Sequence, residues 1–304
     1  MRYISSDKKT NIYGTICYPK VQPKGIIHVI HGITEYIGRY EEFAAYFNDK
    51  GYIVCGIDVI GHGRSLQNNN IKGYFGTEGS FKYVVADVLN CYKLMKEEYP
   101  DIPYFLLGFS MGSFIVRTLL LEEGRNLNID GCFLLGTGSQ PLAVLKTIRY
   151  IVRHNCNKVG EENSSNMVQM FAFDNYNKQF SNPRTNSDWL LKDVEELDKY
   201  INDPMCLDKI SSGLFRELLS GMIFSCDKKN KTDVDYPIYL LSGAEDAVGD
   251  NGKGIDKTKD IMIKQGFKKI EIRLFNEMRH DILHETNRKE VFEFIEKNIM
   301  QITK

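Results

Sequence analysis

Residues 105–112 read Phe105-Leu106-Leu107-Gly108-Phe109-Ser110-Met111-Gly112, an apolar run that ends on one serine set between glycines. If the run is a strand and the residues from Ser110 to about Glu123 form a helix, Ser110 occupies a very tight turn. A side chain at 108 or 112 would crowd the reversal, and Ser110 itself is pushed into strained backbone with its hydroxyl presented at the sheet edge. That is the sequence form of a nucleophile elbow. Gly-x-Ser-x-Gly also occurs by chance, so the surrounding chain decides how much the motif means.

Working outward, apolar runs alternate with helical patterns. Asn11 to Pro19 reads as an edge strand, Ile26 to Ile30 as a buried strand, Tyr40 to Gly51 as a helix, and Tyr52 to Gly61 as a strand with Asp58 near its end. A glycine-rich loop at Gly61 to Ser65 and a polar stretch through Asn70 precede a helix from Ser80 to Glu98. The inward stripe of that helix is Val84, Val85, Val88, Leu89, Tyr92 and Leu94. Downstream, Gly131 opens the next strand. Short apolar runs closed by glycine and separated by helices predict a parallel sheet covered on both faces, hence an α/β protein. Ligands of such sheets gather beyond the carboxyl ends of the strands, where Gly32, Asp58, Ser110 and Gly136 fall.

The rhythm stops at Ser139. Residues 140–235 carry amphipathic helical segments without a convincing long parallel strand, which is long for a crossover and predicts a helical lid inserted between core segments 1–139 and 236–304. In that insertion Leu142, Leu145, Ile148, Tyr150, Ile151 and Val152 interleave with Lys146, Arg149 and Arg153. The mixture suits either a face that covers a pocket or weak contact with a membrane surface. Alternation resumes with a strand at Tyr236 to Gly243, a helix from Gly254 to Gln265 and a strand at Ile270 to Phe275. A last helix from Asn287 to Met300 turns Val291, Phe292, Phe294, Ile295 and Ile299 inward.

Composition narrows the function. A net charge of -1 supplies no field for a polyanion, so nucleic acid is an unexpected partner. No run is long enough to cross a bilayer, and the start, MRYISSDKKTN, lacks an apolar signal segment, so a cytoplasmic protein is expected. Seven cysteines are widely spread with no Cys-x-x-Cys pair, against a zinc site or a disulfide framework. No cofactor is called for. The glycines of Gly61-His62-Gly63-Arg64-Ser65 match neither a P-loop nor Gly-x-Gly-x-x-Gly and read as a structural loop beside the active site.

A serine hydroxyl needs a base, and the base needs a group that fixes its orientation and tautomer. The chain order Ser, Asp, His points to the ends of the two late strands, where Asp246 follows Gly243 and His280 follows Asn276. Asp246 is read as the orienting carboxylate, with Glu245 and Asp250 as competitors, and His280 as the base. His284 competes with His280 and reads otherwise as a helix-start or surface histidine. The His280–His284 spacing mimics a zinc helix but has aspartate where the glutamate base would stand and no third ligand, so metal chemistry is not expected. His28 reads as a core residue and His154 as a solvated one. For the oxyanion, the backbone N–H groups of Met111 and Ile33 are the expected donors.

The segments HGITEYIGRY from His31, DVIGHGRS from Asp58, GFSMGS from Gly108, GAED from Gly243 and RHD from Arg279 span nearly the whole chain. Together they resemble the α/β-hydrolase superfamily, in its monoacylglycerol lipase and lysophospholipase-like branch, which is grouped with serine aminopeptidases. The resemblance implies an α/β-hydrolase fold, Ser110, Asp246 and His280 as catalytic triad, Ile33 and Met111 as oxyanion donors, and a helical cap enclosing an acyl-binding pocket. Arg184 to Cys206 looks like the cap sequence of bacterial members. Ile33-Thr34 stands where the lipases place small residues, and the cap diverges. The expected function is therefore hydrolysis of carboxylic esters with an apolar acyl group, monoacylglycerols or lysophospholipids among them. The alternatives are an aminopeptidase, for which Glu161, Glu162, Glu195 and Glu196 offer negative charge, and a binding protein for small molecules without catalysis.

Overall fold

A computed structural model describes residues 1–66 and 71–304. Residues 67–70 of the polar stretch through Asn70 lie outside the described residues. In chain order the elements are β1 (Arg2–Ile4), β2 (Asn11–Cys17), β3 (Ile26–Ile30), α1 (Glu41–Asp49), β4 (Ile53–Asp58), α2 (Phe81–Glu98), β5 (Tyr104–Phe109), α3 (Met111–Glu123) and β6 (Gly131–Leu135). There follow α4 (Leu142–Val159), α5 (Asn166–Gln169), α6 (Val194–Asn202), α7 (Ser212–Cys226), β7 (Ile238–Gly243), α8 (Lys253–Gln265), β8 (Ile270–Phe275) and α9 (Arg288–Ile302).

Among the described residues the strands form one sheet in the order β1-β2-β4-β3-β5-β6-β7-β8. β2 pairs antiparallel with β1 and β4, and every pair from β4 to β8 is parallel. Asn11–Cys17 is thus not the edge strand that its sequence predicts, because Arg2–Ile4 pairs along its outer side. Three residues gave too short an alternation to announce a strand.

The central strands β3 to β7 are buried at every position. Successive side chains point to opposite faces, so Leu106, Leu134 and Leu240 join the layer of α2, α3 and α7, while Phe105, Leu107, Phe133, Leu135 and Leu241 join that of α1 and α9. A strand covered on both faces has no polar side to show, which is why the sequence reads as continuous apolar runs. β8, at the sheet edge, alternates instead.

On α2 the stripe rotates slightly from its expected position: Cys91 and Met95 are buried and Leu94 is exposed. On α9 Val291, Phe292, Ile295 and Ile299 are buried, with Phe294 at the margin. The helices α4 to α7 lie between β6 and β7. α7 is not a detached lid, since Leu214, Phe215 and Leu219 belong to the same core as α2 and α3. α4 turns Leu145, Val152 and Cys156 inward and leaves Tyr150 and Ile151 exposed, against the stripe expected for it. A smaller cluster of Trp189, Leu190, Leu191 and Leu197 stands over the strand ends. No helix among the described residues is long and apolar enough to cross a membrane.

Candidate active site

The reversal from β5 to α3 has the geometry its glycines require. Ser110 holds φ 50° and ψ −115°, a conformation that costs an L-residue about 1–3 kcal/mol and persists only where the surroundings enforce it. They do so here. Ser110 N–H donates to Leu135 O at 2.9 Å and Ser113 N–H to Ser110 O at 2.9 Å. A Cβ at Gly112 would stand 2.0 Å from Ile30 O, and one at Gly108 would stand 2.7 Å from Gly112 O. The helix start is thus pressed against the end of β3, which leads into the loop carrying Ile33.

Three groups from three strand ends meet in one line. His280 Nε2 lies 2.9 Å from Ser110 Oγ and His280 Nδ1 lies 2.9 Å from Asp246 Oδ1. Asp246 is fully buried and also accepts from Ser242 Oγ at 3.0 Å and Val248 N–H at 2.8 Å. Burial alone would raise its pKa, but the His280 ring and these donors hold the carboxyl below its ordinary value. A carboxylate kept ionised beside Nδ1 favours the tautomer that leaves Nε2 free to accept a proton.

The competitors are occupied elsewhere. Glu245 pairs with Lys192 Nζ, and Asp250 faces Lys257 Nζ at 3.6 Å in a solvated loop. His284 is not a surface residue: Nδ1 meets Asp281 Oδ1 at 2.9 Å and Nε2 meets Arg39 O at 2.9 Å, both turned away from Ser110. His28 is in the core with Nδ1 2.9 Å from Tyr104 Oη, and His154 is exposed.

The loop after β3 is pinned by groups whose role its sequence did not announce. His31 Nδ1 is 2.7 Å from Gly32 O and His31 Nε2 accepts Val59 N–H at 3.1 Å, which fixes its proton on Nδ1. Glu35 Oε1 accepts Gly32 N–H and Tyr40 Oη, each at 2.7 Å. His62, from the glycine-rich loop, places Nε2 2.6 Å from Ile33 O and Nδ1 2.9 Å from Ile60 O. Burial, with the His31 ring adding to it, pushes the His62 pKa down to about 4, while the two carbonyl contacts favour the protonated ring and oppose that shift. Ile33 therefore has its carbonyl engaged, while among the described residues its N–H donates to no group of the chain. Met111 opens α3, where first-turn N–H groups lack intrahelical acceptors and the dipole favours negative charge. Among the described residues neither the Ile33 nor the Met111 N–H donates to a group of the chain.

Asp281, beside His280, completes a second buried network. Arg39 pairs with Glu35 at 3.1 Å and with Asp281 at 2.9 Å. The oxyanion-side loop and the base loop are thereby joined through one guanidinium. His62, Glu35 and Arg39 are the residues the sequence reading passed over. The signal was present in His31-x-x-x-Glu35 and Gly61-His62-Gly63, but not the distance between them.

A cavity of about 580 Å³ reaches Thr34, next to Ile33, and Trp189, whose ring lies 5.4 Å from that of His280, while Ser110, Asp246 and His280 are not among its described lining residues. Its lining mixes Phe173, Tyr200 and Leu207 with Asp174, Asp203 and Lys209. None of Glu161, Glu162, Glu195 and Glu196 lines it, and Glu161 is held by Arg216 at 2.7 Å.

The sheet order, the strained serine between strand and helix, and the Ser–His–Asp line at its edge define an α/β-hydrolase. Residues 21–287 match the family described as serine aminopeptidase, S33, and the chain belongs to that family. It is 26% identical over 283 residues to the monoglyceride lipase of Mus musculus, covering 88% of this chain and 83% of that one. It is 26% identical over 273 residues to a phospholipase of Bacillus subtilis, covering 89% and 93%. Its fold superposes with a TM-score of 0.89, at 25% identity and over 100% of this chain and 98% of the other, on a thermostable carboxyl esterase from Bacillus coagulans in complex with glycerol.

Proposed function

We propose that this chain hydrolyses carboxylic esters with a moderately apolar acyl group through an acyl-enzyme on Ser110. The observation that carries the reading is the unbroken line from Asp246 through His280 to Ser110, with both contacts at 2.9 Å. Ser110 Oγ attacks the ester carbonyl as His280 Nε2 takes its proton. Ile33 and Met111 N–H groups donate to the oxyanion, a term worth on the order of 10²–10³ in rate for one donor. His280 returns the proton to the leaving alcohol, water enters, and the same steps release the acid. The similarity to a monoglyceride lipase and to a phospholipase supports a lipid-like ester. Polar groups in the cavity suit an ester carrying a polar head, as monoacylglycerols and lysophospholipids do.

Turnover of an ester panel that varies acyl and alcohol portions separately, with Ser110→Ala as the control, tests this. Loss of turnover in the variant is expected, and undiminished turnover would sink the assignment. A second reading, release of an N-terminal residue from a peptide, draws on the family's description and on Asp174, Asp203 and Asp208 in the cavity wall. A strong preference for aminoacyl-naphthylamides over acyl esters would install it in place of the first. Weak contact with a lipid surface is proposed through the outer face of α4, where Tyr150 and Ile151 are exposed near Lys146 and Arg153. Absence of cosedimentation with anionic vesicles removes that part.

A further inference from the structure

The segment from Ser187 to Asp193 runs beside the loop from Arg279 to Glu285, and the two are paired residue against residue. The Arg279 guanidinium donates to Asp188 O, the Trp189 ring lies 5.4 Å from the His280 ring, and Asp281 N–H donates to Leu190 O at 2.7 Å. One pair precedes the two rings and one follows them. Further along, the Glu285 carboxylate accepts Lys192 N–H at 3.0 Å and Arg279 N–H at 2.8 Å, closing the clamp from both sides. Trp189 is itself fixed from behind, its backbone N–H donating to Asn177 Oδ1 at 2.9 Å and its ring stacked at 6.1 Å on Phe173.

We infer that Trp189 is a positioning residue for His280, contributed by the inserted segment, and that the strap carrying it stays closed through turnover. The inference rests on the hydrolase reading above. Asp246 and Ser110 hold the imidazole at its two nitrogens, but these contacts lie along one line and leave the plane of the ring free to tilt about it. Aromatic contacts restrict that tilt: Phe109, from the core, stands 5.0 Å from the ring and Trp189, from the insertion, 5.4 Å, each inclined by 43°. Trp189 is 7% exposed and His280 1%, so the indole also keeps water from the Asp246–His280 bond and strengthens it. A displacement of about 1 Å at a reacting group costs on the order of 10²-fold in rate. Substrate then reaches Ser110 without lifting of the strap, because lifting it would release the base.

The test separates seating of the base from lining of the cavity, since Trp189 does both. The acyl group of p-nitrophenyl acetate ends beside Ser110, whereas that of the octanoate is long enough to extend past Trp189 toward the cavity. Trp189→Ala is expected to lower kcat about 30-fold on both esters with KM within about threefold, and Trp189→Phe to recover the acetate kcat to within about threefold of the parent. A loss confined to the octanoate, or residing in KM, assigns Trp189 to the cavity wall alone and overturns the proposal. If Trp189→Ala loses the far-ultraviolet circular dichroism of the parent, Trp189→Leu serves in its place, and parental kcat on the acetate in that variant is equally fatal. The chain has one tryptophan, so its emission reports the contact in the unaltered site: His280→Gln should change the intensity, and an unchanged spectrum contradicts the pairing. Ser110→Ala sets the baseline. Full turnover there defeats the hydrolase reading, while the Trp189 series addresses the seating alone.

Discussion

The two regions that hold His280 in place are built in opposite ways. On the core side, the turn at residues 108–112 is enforced by sterics, since a Cβ at 112 would stand 2.0 Å from Ile30 O. On the other side, the strap at 187–193 is held by hydrogen bonds to residues some 90 positions away, such as Asp281 N–H to Leu190 O. A turn imposed by excluded volume tolerates no substitution that adds atoms. A strap assembled from many polar contacts loses strength piecemeal. Catalytic geometry here depends on the first being rigid and the second being registered against it.

The largest effect should fall on the carboxylate of the core side. Asp246→Asn keeps the shape but presents the wrong group to Nδ1, and a drop in kcat of about 10⁴-fold is expected from steady-state turnover; a drop of less than tenfold would show that the tautomer is set elsewhere. Gly112→Ala should lower stability by about 3 kcal/mol or more, read from the urea midpoint, because its neighbour is backbone that cannot step aside. No truncation of a polar side chain in the strap should match it.

Acid sharpens the same contrast. The unfolded chain protonates His62 near the ordinary imidazole value of about 6.5, the folded chain only near 4, so the unfolded state binds more protons between these limits. That contribution to stability is complete above about pH 6.5 and is lost as pH falls toward 4, by about 3 kcal/mol at most. His284 has the opposite sign. Burial alone would lower its pKa, but Asp281 raises it above the ordinary value, so its contribution is present in acid and lost as pH rises through the folded value. Urea midpoints of His62→Asn against pH should show a flatter acid limb than the parent. The smallest effect is expected at the strap: Glu285→Gln, which keeps acceptor oxygen but removes charge, should cost about 1–2 kcal/mol and less than tenfold in kcat.

How much of this was legible in the sequence follows the same division. The elbow, the parallel strands and the order Ser110, Asp246, His280 were readable because each is signalled locally, by glycine spacing, by runs without a polar side, or by a residue at a strand end. Arg2–Ile4 escaped because three residues carry no period. His284 was taken for a surface histidine because nothing near it in sequence reveals Arg39 O and Asp281 closing over it. Trp189 stood in a stretch recognisable as cap sequence, yet its contact with His280 depends on a pairing of distant segments that hydrophobic pattern cannot register. The mixed lining of the cavity was hidden for the same reason, since it is composed from residues spread from Thr34 to Lys209.

The central claim is that Ser110 is a nucleophile made reactive by His280. Peptide mapping after a fluorophosphonate reaction measures it most directly. The account predicts one phosphonyl adduct, on Ser110, forming at least 10²-fold more slowly in His280→Ala, an order-of-magnitude estimate for loss of the base. An adduct on another residue, or labelling of Ser110 at the parental rate without His280, would contradict it.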